Sequence, residues 1–251
     1  MMKRADELLV GAALTNSRSK ARAIIEEGKV FVNGRAVDKP SRKFPEETVF
    51  EIAGDNSALR YVSRAGLKLE AFLEKYRISL QDLRVLDAGA STGGFTDCAL
   101  AHGAAESVCV DIGCGQLHAK LLNDSRVTNF EKTDVRSLTP EFFGGKLFDF
   151  ICADLSFISL EKTLPFLSPL LKKRCCMVCL IKPQFESSPK LMRKNKGVIR
   201  DEESALAAVE KIRDYVCKNQ KQLEIIGTMQ SPIKGGDGNV EYLIGLRKID
   251  A

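Results

Sequence analysis

The chain has 251 residues, 44% of them apolar, and a formal charge of +5, which predicts a packed core in one large domain or in a small and a medium one. No apolar run approaches the length of a membrane span, and the opening "MMKRADELLV" has no signal-peptide core, so a soluble, cytoplasmic protein is expected. The eight cysteines sit mostly in apolar stretches, as at Cys109, Cys152, Cys176 and Cys179, which points to reduced, packed thiols rather than a disulfide scaffold.

In chain order, "ADELLVGAAL" has apolar positions at helical spacing and breaks at Thr15-Asn16. "SRSKARAIIEEG" starts on Ser17, a good N-cap, places Ala21, Ile24 and Ile25 on one face, and ends at Gly28. "KVFVNG" alternates as a strand and stops at the turn signal Asn33-Gly34, and "TVFEI" is a second strand. Gly54, Asp55, Asn56 and Ser57 punctuate the end of this unit. Residues 1–44 hold ten cations and five anions, an excess equal to that of the whole chain, which suggests phosphate contacts on a small folded unit.

Beyond it, apolar strands are predicted at Arg84–Ala88, Ser107–Asp111, Val127–Glu131, Phe148–Asp154, Met177–Ile181, Leu223–Gly227 and Glu241–Leu246. Helical stretches such as Gly94–Ala101 and Glu203–Cys217 alternate with them. The pattern predicts an α/β fold whose mostly parallel sheet carries helices on both faces. The polar stretch 186–200 reads as a mobile loop. Cys176 and Cys179 form a C-x-x-C, yet no second pair stands at ligand spacing. His102 and His118 make no helical pair either, so no structural metal is expected.

In an open parallel sheet, ligands bind outside the carboxyl ends of the strands. Five successive predicted strands end on or near a charge: Asp87, Asp111, Asp134, Asp154 and Lys182. The first runs into the loop Gly89-Ala90-Ser91-Thr92-Gly93-Gly94, whose small residues permit close backbone approach. Asp111 follows at a distance suited to ribose hydroxyls, so a nucleoside-containing cofactor is expected. A G-x-G-x-x-G for NAD would need glycine where Ser91 stands. That departure, with acids along the edge to meet a sulfonium and an amino group, favours S-adenosylmethionine. Asp134 is placed to accept from the adenine amino group. Lys182 ends the apolar run in "CLIKPQFE", where it can act as a general base or stabilise an oxyanion, with Asp154 and Glu241 as its holding acids. Spacing alone makes Lys68, in "YVSRAGLKLEAF", a solvated helix residue.

Taken together, "SRSKARAIIEEGKVFVNG", "YVSRAGLKLE", "DAGASTGGFTDCAL", "VDIGCGQL", "ADLSFISL", "LIKPQFE", "GVIRD" and "SPIKGGDGNVEYL" resemble the TlyA-type proteins over nearly the whole chain. That family, often called haemolysins, is similar to ribosomal RNA 2′-O-methyltransferases with an N-terminal S4 RNA-binding domain and an FtsJ-like catalytic domain. The resemblance implies an S4-like domain over 1–60 and, over 61–251, a Rossmann-like, seven-stranded methyltransferase domain. It implies a catalytic set of Lys68, Asp154, Lys182 and Glu241, which reverses the spacing-based reading of Lys68. It places S-adenosylmethionine against Gly89, Ser91, Thr92, Gly93, Gly94, Phe95, Asp111 and Asp134. It also implies docking of ribosomal RNA or a ribosomal subunit on Arg4, Arg18, Lys20 and Arg22, and a cytidine acceptor. Ala65 stands where the family usually has the first glycine of "YVSRGGLKL". Two other classes remain at this point: a membrane-active haemolysin, and an RNA-binding protein without catalysis.

Overall fold

The computed structural model describes residues 2–12, 14–15, 17–52, 60–188, 192, 198–199, 201–235 and 238–250. The break at Asn16, the punctuation at residues 54–57 and the basic loop at 190–196 lie largely or wholly outside the described residues. The chain divides into two compact units, Met1–Leu67 and Lys68–Ala251.

In the first unit, β1 (Met2–Arg4) precedes α1 (Ala5–Gly11) and α2 (Arg18–Glu26). Ser17 caps α2, its Oγ accepting from Lys20 N at 3.3 Å, and Gly28 closes the helix with φ +69°. β2 (Val30–Val32) pairs antiparallel with β3 (Arg35–Ala36) and with β5 (Glu51–Ile52), while β4 (Lys43–Pro45) pairs with β1. The turn Asn33-Gly34 has positive φ at both residues, as a two-residue hairpin of right-handed twist requires. Ala5, Leu8, Leu9, Ile24, Ile25 and Val30 form the core, the apolar stripes of the two helices meeting the inner face of the strands. The strand expected in "KVFVNG" is present and the turn leads into β3, which was not expected; the β1–β4 pair is not legible in "MKR" and "KFP", which are too short to show a period.

The second unit begins within α3 (Ala65–Tyr76) and continues through β6 (Arg84–Ala88), α4 (Gly94–Ala101), β7 (Glu106–Val110), α5 (Ala119–Leu122), β8 (Val127–Phe130), β9 (Phe148–Ala153) and α6 (Leu164–Leu167). It ends with β10 (Leu171–Ile181), α7 (Pro183–Glu186), α8 (Glu202–Asn219), β11 (Leu223–Gln230) and β12 (Tyr242–Lys248). The strands form a seven-stranded sheet in the order β11-β12-β10-β9-β6-β7-β8. β8, β7, β6, β9 and β10 are mutually parallel, and β12 runs antiparallel between β10 and β11. All seven predicted strands are present, each within a few residues of its expected bounds except β10, which starts six residues earlier than expected.

Two consequences of this topology set the functional edge. The chain leaves β6 to one side for β7 and β8 and returns on the other for β9, which makes a switch point between β6 and β9. Gly89 and Asp154 follow those two strands, and Asp154 N donates to Ala88 O at 3.0 Å. Because β12 is antiparallel, its first residue, Tyr242, pairs with Ile181, the last of β10. Glu241 therefore enters the sheet at the edge where Lys182 leaves it. The core beneath is apolar, with Leu86, Phe148, Ile151, Met177, Cys179 and Leu246 fully or almost fully buried. All eight cysteines are free thiols, with Cys179 buried and Cys176 half-buried in β10. Among the described residues there is no helix long and apolar enough to cross a membrane, and no cluster of three His, Cys, Asp or Glu side chains arranged for a metal.

Candidate active site

Four charged side chains, one from α3 and the others just after β9, just after β10 and just before β12, converge at the carboxyl edge. Lys68 Nζ donates to Glu241 Oε2 at 2.7 Å and lies 3.5 Å from Asp154 Oδ2. Lys182 Nζ is 2.7 Å from Asp154 Oδ1 and donates to Ser156 Oγ at 2.8 Å. Lys68, Lys182 and Glu241 are each at most 9% exposed, so two cations and two anions neutralise one another out of solvent. Burial acts to raise the Asp154 carboxyl, but the charges of Lys68 and Lys182 outweigh it and hold it below the usual carboxylate range. A Cβ at Gly235 would lie 2.6 Å from Glu241 Oε1, so the glycine turn before β12 makes room for that carboxylate.

Beside the four lies a cleft of about 930 Å³, lined among others by Gly89, Ser91, Asp111, Asp134, Asp154 and Phe157. The backbone of Gly89 turns there with φ +84°, and a Cβ would sit 2.7 Å from Asp154 O. Gly89→Ala therefore strains a left-handed residue and presses on the strand end that carries Asp154. We expect it to cost about 2 kcal/mol or more in urea denaturation; an unchanged midpoint would remove the close-approach argument.

The expected cofactor residues divide. Asp111 binds both loops: Oδ2 accepts from Ser91 N at 2.8 Å and Oδ1 from Gly113 N at 2.7 Å. Ser91 Oγ reaches Gln116 Oε1 at 3.0 Å across the same gap. Thr92, Gly93, Gly94 and Phe95 do not line the cleft. Gly93 packs under Leu117 and Leu121 and Phe95 is 2% exposed in α4, so these two support the loop, whereas Thr92 is exposed beside Ser91. Asp134 does line the cleft, but its carboxylate is held by the Arg136 guanidinium through Oδ1 and Oδ2, which keeps it below its ordinary range. Asp87, the first of the five charged strand ends, turns away into the core. It is 1% exposed and accepts from Thr96 N at 2.9 Å and Thr96 Oγ1 at 2.7 Å.

The fit to the expected cofactor rests on these donors and acceptors. Ser91 N, Gly93 N and Thr96 N all donate to protein oxygens, so these N–H groups are not left for a pyrophosphate. The cleft instead presents Asp111, Asp134 and Asp154, which suits a cationic nucleoside. The residues present fit S-adenosylmethionine.

Three participants were not legible in the sequence. Ser156 is the hydrogen-bond partner of Lys182. Phe157, 90% exposed with φ +63°, stands at the cleft with its ring 5.1 Å from that of Phe185. Glu186 is buried and accepts from Ser159 Oγ at 2.5 Å and Leu160 N at 2.8 Å, tying α7 to the loop after β9. A bulky residue at positive φ was the signal for Phe157, and it appears only in coordinates.

In the first unit the predicted basic face is only partly present. Arg4 and Arg18 are both held by the buried Asp6, at 2.8 and 3.1 Å, and Arg18 remains 56% exposed at its side chain. Arg22 is exposed and paired with Glu26 at 2.9 Å. Lys20 is 7% exposed, which corrects its assignment to an open face: it occupies the buried side of α2 beside Ala21 and Ile24.

Comparison with known proteins agrees with this geometry. A model of the FtsJ-like methyltransferases matches residues 61–248, and one of the S4 domain matches residues 3–49. Hemolysin A of Brachyspira hyodysenteriae is 41% identical over 96% of this chain and 98% of its own. The 16S/23S rRNA (cytidine-2'-O)-methyltransferase TlyA of Mycobacterium tuberculosis is 40% identical over 97% of this chain and 89% of its own. A solved structure from Streptococcus thermophilus carrying a hemolysin name is 36% identical with a TM-score of 0.77, covering 100% of this chain and 90% of that one.

Proposed function

The chain belongs to the FtsJ-like methyltransferase family, in the TlyA-type branch that carries an S4 domain, and from that premise we propose that it methylates a ribose 2′-hydroxyl of cytidine in ribosomal RNA. Residues 1–60 act as the RNA-docking module and 61–251 as the methyl-transfer module. Arg4, Arg18 and Arg22 supply phosphate contacts, with Asp6 holding the first two guanidinium groups in fixed orientation. An rRNA substrate makes the protein cytoplasmic.

The observation that carries the reading is the buried cluster of Lys68, Asp154, Lys182 and Glu241 beside a cleft lined with acids. Gly89, Ser91 and Asp111 would hold S-adenosylmethionine, which supplies an electrophilic methyl group when bound. A ribose hydroxyl is a weak nucleophile until its proton leaves. Lys182 takes that proton at the 2′-oxygen, and Asp154 is its counter-charge. Lys68, between two carboxylates, stabilises charge developing on the oxygen. The exposed ring of Phe157 offers a stacking surface for an unpaired base.

The test is incubation of purified protein with each ribosomal subunit and methyl-labelled cofactor, followed by nuclease digestion. Label is expected in 2′-O-methylcytidine; no incorporation into the RNA of either subunit would sink the reading.

A further inference from the structure

Lys68 and Lys182 both contact Asp154 but differ in their other partner. Lys68 has a second carboxylate, Glu241, whereas Lys182 has a neutral hydroxyl, Ser156. Lys182 Nζ lies 2.7 Å from Asp154 Oδ1 as an ion pair. It also donates to Ser156 Oγ at 2.8 Å.

Ser156 reaches Lys182 because the chain makes an unusual turn. Phe157, next in sequence, has φ +63°, a conformation that costs a bulky residue on the order of 1–3 kcal/mol and persists only where the surroundings enforce it. Just beyond that turn, Glu186 accepts from Ser159 Oγ and Leu160 N and anchors the loop to α7.

We propose that Ser156 is a positioning residue that fixes rotation of the Lys182 amine about its Cε–Nζ bond. The inference rests on the methyl-transfer reading above. A lysine nitrogen has three directions besides the bond to Cε. Ser156 takes one and Asp154 biases a second, which assigns the third to the acceptor. Once Lys182 has given up one ammonium proton to solvent, hydrogens occupy the first two directions and the lone pair occupies the third. That lone pair receives the proton from the 2′-hydroxyl as the oxygen–methyl bond forms and the methyl–sulfur bond breaks. In the resulting ammonium the third direction carries the transferred proton, while both partners still accept from the other two. A hydroxyl is suited to this, because it accepts from the amine without placing a second negative charge beside it. Lys68, by contrast, has a carboxylate on each side.

The experiment reads the protein alone and then its chemistry. Lysine side-chain ¹⁵N spectra, with the Lys182 signal identified by its loss in Lys182→Arg, are recorded for wild type, Ser156→Ala and Ser156→Thr. The Lys182 ammonium is expected to exchange with water several-fold faster in Ser156→Ala and at the wild-type rate in Ser156→Thr. Single-turnover methyl transfer is expected to fall about ten- to a hundredfold in Ser156→Ala, with cofactor and RNA affinities within about twofold of wild type. Threonine is expected to restore the rate. An unchanged Lys182 signal in Ser156→Ala, wild-type turnover in that variant, failure of threonine to rescue, or a loss of cofactor affinity equal to the loss of rate would each overturn the proposal. Should the wild-type protein transfer no methyl group to rRNA, the functional reading fails, and the Lys182 signal still decides whether Ser156 orients the amine.

Discussion

Lys182→Ala is expected to lower single-turnover methyl transfer by roughly 10²–10⁴-fold, the range a positioned general base contributes, with cofactor affinity nearly unchanged. Affinity should survive because Gly89, Ser91 and Asp111 line the cleft independently of the Lys182 side chain. The variant also leaves Asp154 with one cationic neighbour, Lys68 at 3.5 Å. Lys182→Arg separates two roles that a lysine can fill. Arginine keeps a positive charge but cannot release a proton near neutral pH. If Lys182 accepts the 2′-proton, arginine should be as damaging as alanine. If it only stabilises developing negative charge, arginine should retain a substantial part of the rate. Rapid-quench measurement with saturating cofactor distinguishes these outcomes, and full activity in Lys182→Ala would remove the residue from the mechanism.

The second large effect is on stability and comes from Asp87. Burial, partly offset by the bonds from Thr96, pushes its carboxyl up to about 7 from an ordinary 3.8. Between those values the folded protein holds a proton that the unfolded chain has released. The unfolding free energy therefore falls as pH rises from about 4 through about 7. From pH 5 to pH 8 the loss from this group is about 3 kcal/mol. Asp87→Asn keeps an acceptor for Thr96 and does not ionise. Its stability relative to wild type should thus improve by about that amount between the two pH values. Urea titrations of both proteins at pH 5 and 8 give the comparison; a constant difference would mean that Asp87 is ionised throughout.

How far the fold was readable follows from what kind of signal each part leaves. The seven sheet strands are short apolar runs bounded by turns and charges, and that pattern survives in one dimension. The direction of β12 does not, because antiparallel and parallel strands in a buried sheet have the same composition. The strand-end charges located the working edge, yet composition could not separate Asp111 and Asp154, which line the cleft, from Asp87, which turns into the core. Asp87 lies level with Cys109 and Cys152, two residues short of Asp111 and Asp154. Charge counting likewise took Lys20 for a surface cation, when the helical face it shares with Ile24 is buried. Spacing alone read Lys68 as solvated, since its partner Glu241 is 173 residues away. The family resemblance supplied that pairing. Neither route found Ser156, whose role depends on the backbone turn at Phe157.

The Lys68–Glu241 bond also bears on how the enzyme comes to life. Its partners come from the helix that leads into the second unit and from the turn before the last strand of the sheet, which fills the gap between β10 and β11. Contacts that distant close late and slowly, because loop entropy must be overcome before they return any free energy. Helices and the parallel strands can therefore form while the charge cluster is still open. On dilution from denaturant, recovery of turnover should lag behind recovery of helical signal. Turnover and helical signal recovering together would mean that the charge cluster closes along with the rest of the sheet.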